Sequence, residues 1–133
     1  MSEVLFDASA YSALGRGHPA AAALASSAER IAVTPVVLGE LLSGFRAGGR
    51  RRHNEDLLRK FLASPRVDVL PMDGGTAERY AAIVDSLRAA GRPIPTNDLW
   101  IAASAMQHGL EVVTSDAHFR NVPQVLVRVL EPA

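Results

Sequence analysis

Short apolar runs alternate with helix-like segments along the chain, and this alternation limits the folds that are possible. The runs span residues 4–6, 31–33, 67–70, 110–114 and 125–130. Between them, caps, prolines and apolar spacing indicate helices at residues 8–14, 19–27, 35–45, 50–62, 73–90 and 97–108. Strands that alternate with helices form βαβ units, whose sheet is parallel and covered on both faces. We therefore predict a three-layer α/β/α fold with a mostly parallel sheet of about five strands, the last of them at an edge.

One domain over residues 1–133 is expected, because a chain of this length buries a stable core without crosslinks. The sequence contains no cysteine, which excludes disulfides and is compatible with a reducing cytoplasm. Asp7 interrupts the first apolar run, which argues against a signal peptide. No run approaches the roughly 20 apolar residues that span a bilayer. We expect a cytoplasmic protein with no membrane partner. Its 14 acidic and 14 basic residues balance, so net charge does not indicate a polyanion as partner.

The stretch from Pro95 to Phe119 places two carboxylates around one helix–strand unit. Thr96 or Asn97 is predicted to cap the helix, and Asp98 lies in its first turn. Apolar residues follow at helical spacing and put the carboxylate of Asp98 on the packing face: Ile101, Ala102, Ala105 and Met106. Asp116 comes directly after the strand that follows, where the chain must turn.

Two further acids lie at comparable positions, Asp7 after the first strand and Glu40 in the helix after the second. Glu40 lies six residues beyond Thr34, which is too deep for a capping box, and it shares a face with apolar residues. The C-terminal ends of parallel strands lie at one edge of a sheet, where ligands bind. We therefore expect Asp7, Glu40, Asp98 and Asp116 to converge at this edge.

Four carboxylates in one pocket repel one another, and some stay protonated unless a cation joins them. Carboxylate oxygens without cysteine or histidine favour a hard ion, Mg²⁺ or Mn²⁺. One or two such ions suit phosphodiester hydrolysis, because they activate a water molecule and stabilise the leaving oxygen. Glu40 and Asp98 are alternative proton acceptors.

Other interpretations of these acids stay open. Asp7 could cap the helix that follows it, Asp116 could be a turn aspartate, and the helix dipole could favour Asp98. An aspartate-based phosphotransfer or phosphohydrolase domain is one alternative function. However, Asp7 lacks a second aspartate two residues on, and Lys60 is the only lysine. The other alternative is a non-catalytic interaction domain whose acidic pocket receives an arginine-rich partner.

The order and spacing of these motifs resemble the PIN-domain ribonucleases, and in particular the VapC-type toxins of VapBC toxin–antitoxin pairs. The resemblance spans nearly the whole chain, and the motifs that carry it are Val4-Leu5-Phe6-Asp7-Ala8-Ser9, Thr34-Pro35 with Glu40-Leu41, Asn97-Asp98 with Ile101-Ala102-Ala103, and Thr114-Ser115-Asp116 with Phe119. It implies the toxin component of a type II toxin–antitoxin system, a Mg²⁺- or Mn²⁺-dependent endoribonuclease. It further implies a homodimer and a small VapB-like antitoxin that blocks the pocket.

The resemblance also implies roles for individual residues. Catalysis and metal binding fall to the four acids that match the family's acidic site, Asp7, Glu40, Asp98 and Asp116. Ser9 and Thr114 match polar positions that support such a site from its edge, with local capping as the alternative.

Arginines supply all but one of the basic residues, and a basic run lies near the middle of the chain: Arg46, Arg50, Arg51, Arg52, Arg59 and Lys60. This run is either a solvated helix face or a surface that holds RNA phosphates without reading sequence. The four histidines lack a metal-ligand spacing, so we expect them on the surface or in local hydrogen bonds. Transfer, ribosomal and messenger RNA are all compatible substrates.

Overall fold

Five strands and six α-helices alternate along residues 2–132, the part of the chain that the computed structural model describes. The strands are β1 (Glu3–Phe6), β2 (Arg30–Val33), β3 (Val67–Val69), β4 (Glu111–Thr114) and β5 (Val127–Val129). The helices are α1 (Ala8–Gly15), α2 (Pro19–Ser27), α3 (Pro35–Ala47), α4 (Arg51–Leu62), α5 (Gly74–Ala90) and α6 (Thr96–His108). A 3₁₀ helix at Ala117–Asn121 connects β4 with β5. No helix in this described part is long and apolar enough to cross a membrane.

All strand pairings in the sheet are parallel, in the order β3-β2-β1-β4-β5. The prediction of an α/β/α fold with a parallel sheet of five strands is therefore confirmed. Because parallel crossovers are right-handed, α1 to α4 cover one face of the sheet, and α5 and α6 cover the other. Strand β5 lies at an edge, as predicted, but spans 127–129 rather than 125–130. It is short because β4, its only neighbour, ends at Thr114.

The central strands are buried on both faces, which explains their continuous apolar sequence. Val4, Leu5 and Phe6 of β1 are fully buried, as are Val112 and Val113 of β4. Burial of each large apolar side chain contributes about 1.5–3 kcal/mol. The two strands are thus anchored up to their C-terminal ends, and the residues that follow them start from firmly held positions.

The direction in which strands are added reverses between β1 and β4. The chain moves outward from β1 through β2 to β3, and it then returns to place β4 on the other side of β1. Phe6 pairs with Val113, and the amide of Asp7 donates to the carbonyl of Val113 at 3.2 Å. Such a reversal leaves a crevice at the C-terminal strand ends, because the neighbouring connections pass to opposite faces. Asp7 and Thr114 leave the sheet side by side at this crevice.

Helix α6 begins one residue earlier than predicted. Its N-cap is Pro95, in an extended conformation (φ −57°, ψ 148°), and no side chain caps the helix. The prediction that Thr96 or Asn97 caps it is wrong, because Pro95 already holds the chain in a conformation from which Thr96 enters the helix directly. Gly109 ends the helix at φ +66°, a left-handed conformation that favours glycine. Asn97 is consequently available for a tertiary contact.

Ser104 in α6 gives a test of the core. Its side chain is fully buried, and its hydroxyl has no hydrogen-bond partner within residues 2–132. We expect Ser104→Ala to raise the free energy of unfolding by about 1 kcal/mol, because an unsatisfied hydroxyl is costly to bury and alanine favours helix. Urea unfolding measures this. Ser27→Ala is the control, because the Ser27 hydroxyl is exposed and already donates to the carbonyl of Ala23 at 2.9 Å. This control should not gain stability. A loss of stability in Ser104→Ala would contradict the packing described.

Candidate active site

Asp7 is buried at the end of β1, and its carboxylate accepts hydrogen bonds on both oxygens. Its side chain caps α1: Oδ1 accepts from the amide of Ala10 at 2.8 Å. The same oxygen accepts from the hydroxyl of Ser9 at 2.7 Å, and Oδ2 accepts from the hydroxyl of Thr114 at 2.6 Å. Asp7 is thus a helix cap, and it is also joined to β4. These bonds fix the orientation of a carboxylate that is only 6% exposed.

Ser9 and Thr114 connect Asp7 with the chain that follows β4. The Ser9 hydroxyl also accepts from the amide of Ser115 at 2.9 Å. The Thr114 hydroxyl accepts from the amide of Asp116 at 2.9 Å. Each hydroxyl therefore donates to one acid of the predicted site and accepts from the segment that carries another. These hydrogen bonds join residues that are far apart in the chain. Local capping alone therefore does not account for the role of Ser9 and Thr114.

Asp98 and Asp116 are joined by the imidazole of His118. Nε2 of His118 lies 2.5 Å from Oδ2 of Asp98, and Nδ1 lies 2.6 Å from Oδ1 of Asp116. Asp116 also caps the 3₁₀ helix by accepting from the amide of His118 at 3.3 Å. The ring of His118 stacks on the fully buried ring of Phe119, with centroids 5.3 Å apart. One ligand atom from each of the three polar side chains lies within 4.8 Å of the others.

His118 is the site residue that the sequence did not reveal. The expectation that the histidines make only surface or local contacts is wrong for this one. The spacing Asp-x-His does allow the local contact with Asp116, because both residues lie in one tight turn. The contact with Asp98 joins α6 to the segment after β4. It depends on the tertiary fold and has no signature in the spacing of histidines.

Glu40 reaches the site from the second turn of α3. Oε2 of Glu40 accepts from the side-chain amide of Asn97 at 3.4 Å, which links α3 to the first turn of α6. Burial raises the pKa of Glu40, the bond from Asn97 lowers it, and the negative charges of Asp98 and Asp7 raise it. Glu40 is therefore within electrostatic reach of both aspartates, although it is not in the tight group with His118.

Burial also raises the pKa of Asp98, whose side chain is 17% exposed. The hydrogen bond from His118 and the charge of its ring lower this pKa, and the charges of Asp7 and Asp116 raise it. The structure thus brings all four predicted acids into one electrostatic neighbourhood. Their excess of negative charge over one imidazole is an environment that favours a cation.

The donor set fits a divalent cation. Asp98 and Asp116 offer hard carboxylate oxygens, and the ring of His118 lies between them with one nitrogen close to each carboxylate. Carboxylate oxygens suit Mg²⁺ and Mn²⁺. Together with the topology, these features define a parallel α/β domain with an acidic site at its strand-order reversal.

Comparison with known proteins identifies the family. The family model for the PIN domain matches residues 4–125. Ribonuclease VapC4 from Mycobacterium tuberculosis is 37% identical over 101 residues, which cover 71% of this chain and 73% of that protein. The chain belongs to the PIN-domain family.

Solved structures agree with this assignment. A DNA-bound VapBC complex from Salmonella typhimurium contains a chain with a TM-score of 0.83 at 22% identity, covering 98% of this chain and 100% of that chain. This likeness supports the fold. VapBC-5 of Mycobacterium tuberculosis, a member of the VapBC family of toxin–antitoxin systems, matches with a TM-score of 0.73 at 27% identity. That match covers 99% of this chain and 100% of the other.

The predicted arginine cluster lies at the junction of α3 and α4. Arg46 is in the last turn of α3, Arg50 precedes α4, and Arg51 and Arg52 begin α4. Arg51 already pairs with Glu55 on its own helix, at 3.2 Å. In the described part of the chain, none of the four arginines bonds to a carboxylate of the site. Their contact with substrate stays a prediction.

The raised pKa of Glu40 predicts how stability depends on pH. The unfolded chain releases this proton near the ordinary value of 4.5, whereas the folded chain holds it to higher pH. Stability is therefore lost as pH rises through the folded pKa, and the loss is absent below the ordinary value. In chelator, we expect Glu40→Gln to raise the melting temperature slightly at pH 7 and to have no effect near pH 3.5. The gain at pH 7 is small because solvent screens the charge of this partly exposed side chain.

Glu78→Gln is the matched control, because Glu78 is an exposed glutamate on α5, away from the acidic site. It should leave the melting temperature unchanged at both pH values. A lower melting temperature for Glu40→Gln at pH 7 would show instead that the ionised carboxylate is stabilised where it lies.

Proposed function

We propose that this protein is the toxin component of a type II toxin–antitoxin system and acts as a metal-dependent endoribonuclease. The observation that carries the proposal is the convergence of Asp98, Asp116 and His118 beside Asp7 at the ends of β1 and β4. The relative VapC4 is named a ribonuclease, and it is 37% identical to this chain. One sheet with one buried core supports a single nuclease domain over residues 1–133.

The carboxylates of Asp7, Glu40, Asp98 and Asp116 are the proposed catalytic and metal-binding groups, with Mg²⁺ or Mn²⁺ as the ion. A divalent cation bound there supplies positive charge that stabilises the phosphodiester transition state. Ser9 and Thr114 keep the carboxylate of Asp7 directed at the site. His118 holds Asp98 and Asp116 at a fixed separation. Glu40 and Asp98, whose pKa values are raised, are the acids best suited to accept a proton from the attacking water.

An aspartate-based phosphotransfer role is less compatible with the site. Both oxygens of Asp7 accept hydrogen bonds, and the side chain is buried, so it is poorly placed to attack phosphorus. Lys60, the only lysine, lies on α4 rather than beside Asp7. Asp7 is better explained as a fixed ligand.

The proposed partners follow from the related complexes. VapBC structures contain chains of the same fold, and a VapB-like antitoxin is the proposed partner of this protein. We further propose a homodimer, RNA as substrate and action in the cytoplasm.

RNA cleavage with metal provides the test. The protein should cut total cellular RNA in Mg²⁺ or Mn²⁺, and chelator should abolish cutting. Asp98→Asn should reduce the rate by about 100-fold or more, because it removes an ionised ligand at the centre of the site. Mapping the new 5′ ends by sequencing identifies the sites and quantifies cleavage.

Asp85→Asn is the matched control, since Asp85 is an exposed aspartate on α5. It should cleave at the wild-type rate, and both variants should keep the wild-type melting curve within experimental error. A folded protein that binds an antitoxin and never cuts RNA with either metal would be an interaction domain instead.

A further inference from the structure

An open groove lies beside the acidic site, at the C-terminal ends of β4 and β5. Its volume is about 680 Å³. One wall is the turn after α1, and a second is the segment around Asp116, including Ser115 and Ala117. The chain that follows β5 closes the third side. Ser115 and Ala117 flank Asp116, so the groove adjoins the segment that carries one acid of the site, although none of the four acids lines the groove itself.

Two exposed arginines line this groove, Arg16 from the first wall and Arg120 from the second. Within residues 2–132, neither forms an ion pair, whereas Arg51 and Arg59 of the α4 surface pair with acids on their own helix. Glu131 also lines the groove but lies beyond ion-pair distance of both arginines. Arg16 and Arg120 are therefore available to an anion. A guanidinium group binds a phosphate through two parallel hydrogen bonds.

The walls of the groove are held by specific contacts. Gly17 turns the chain after α1 at φ +78°, a conformation that favours glycine. Nδ1 of His18 accepts from the amide of Ala21 at 3.3 Å, so Nε2 carries the proton and donates to the carbonyl of Glu131 at 2.5 Å. The amide of Leu130 donates to the carbonyl of Thr114 at 2.7 Å. The arginines thus project from fixed backbone rather than from a loose terminus.

The acidic site creates a need for such cations. RNA is a polyanion, and the carboxylates repel it even when a divalent ion is bound. Positive side chains along the path of the strand offset this repulsion and fix the register of the backbone without reading bases. The groove with Arg16 and Arg120 adjoins the site, whereas the arginines at the junction of α3 and α4 have no described contact with it.

Resting on the ribonuclease function proposed above, we infer that this groove holds the sugar–phosphate backbone of the RNA next to the scissile bond. Arg16 and Arg120 contact the phosphates, and the strand runs from the acidic site over Ser115 and Ala117 into the groove. The ligand is a single-stranded polynucleotide, recognised by its phosphates.

Binding of a fluorescent single-stranded RNA, measured by anisotropy over a series of salt concentrations, tests the inference. The Asp98→Asn background, measured with Mg²⁺, slows cleavage of the RNA during the titration. Adding Arg16→Ala or Arg120→Ala should weaken binding by about tenfold each. The slope of log affinity against log salt should become shallower by about 0.7 for each phosphate that an arginine no longer neutralises. Both changes should add up in the combined variant.

Arg30→Ala is the matched control, because it also removes one exposed arginine, at the start of β2 and therefore at the opposite edge of the sheet from the groove. It should change neither affinity nor slope, and all variants should melt like the parent protein. If the Arg16 and Arg120 variants bind RNA with the same affinity and the same salt slope as the Asp98→Asn parent, the inference is overturned. Cleavage of RNA by the wild-type protein would still support the ribonuclease function in that case. Binding of fluorescent poly-glutamate is measured in the same way. If the arginine variants lose binding of poly-glutamate but keep binding of RNA, the groove belongs to an acidic protein partner and the inference is equally overturned.

Discussion

Mutual repulsion of carboxylates at the ends of β1 and β4 is the constraint on which the site depends. Each carboxylate receives a donor from the surrounding chain: the hydroxyls of Ser9 and Thr114 for Asp7, the amide of Asn97 for Glu40, and the ring of His118 for Asp98 and Asp116. These donors reduce the repulsion without cancelling it: burial raises the pKa of Glu40 and of Asp98, and the negative charges of the neighbouring acids raise it as well. A divalent cation is the species that neutralises such residual charge.

The topology of the sheet explains why the repulsion is concentrated at this place. Strands β1 and β4 are neighbours at the point where strand addition reverses, so the acids that follow them emerge together. Helices α3 and α6 bring Glu40 and Asp98 to the same edge. The buried apolar strands hold this arrangement, and their burial offsets the cost of placing charges close together. The same edge carries the arginine-lined groove, so opposite charges adjoin each other.

Features that depend on a local sequence pattern, such as the strands and the acids that follow them, are predicted from the sequence. Features that depend on tertiary contacts are not. Apolar runs locate all five strands, and the four acids are found because each follows a strand or faces the apolar side of a helix. The role of His118 is not predicted, because its contact with Asp98 forms only in the fold. The cap of α6 is misassigned because Pro95 supplies the cap conformation that Thr96 was expected to supply. The arginines of the groove are also missed, since Arg16 and Arg120 are isolated in the sequence and meet only in space.

A crystal structure of the protein grown with Mn²⁺, with anomalous diffraction data, shows whether the acidic site holds a metal ion. We expect an anomalous peak within about 2.5 Å of carboxylate oxygens from at least two of Asp7, Asp98 and Asp116. A peak close to a ring nitrogen of His118 as well would make this histidine a ligand. If the carboxylates lie as described and no manganese is bound among them at millimolar concentration, the acidic site does not hold a metal and the metal-dependent mechanism is wrong.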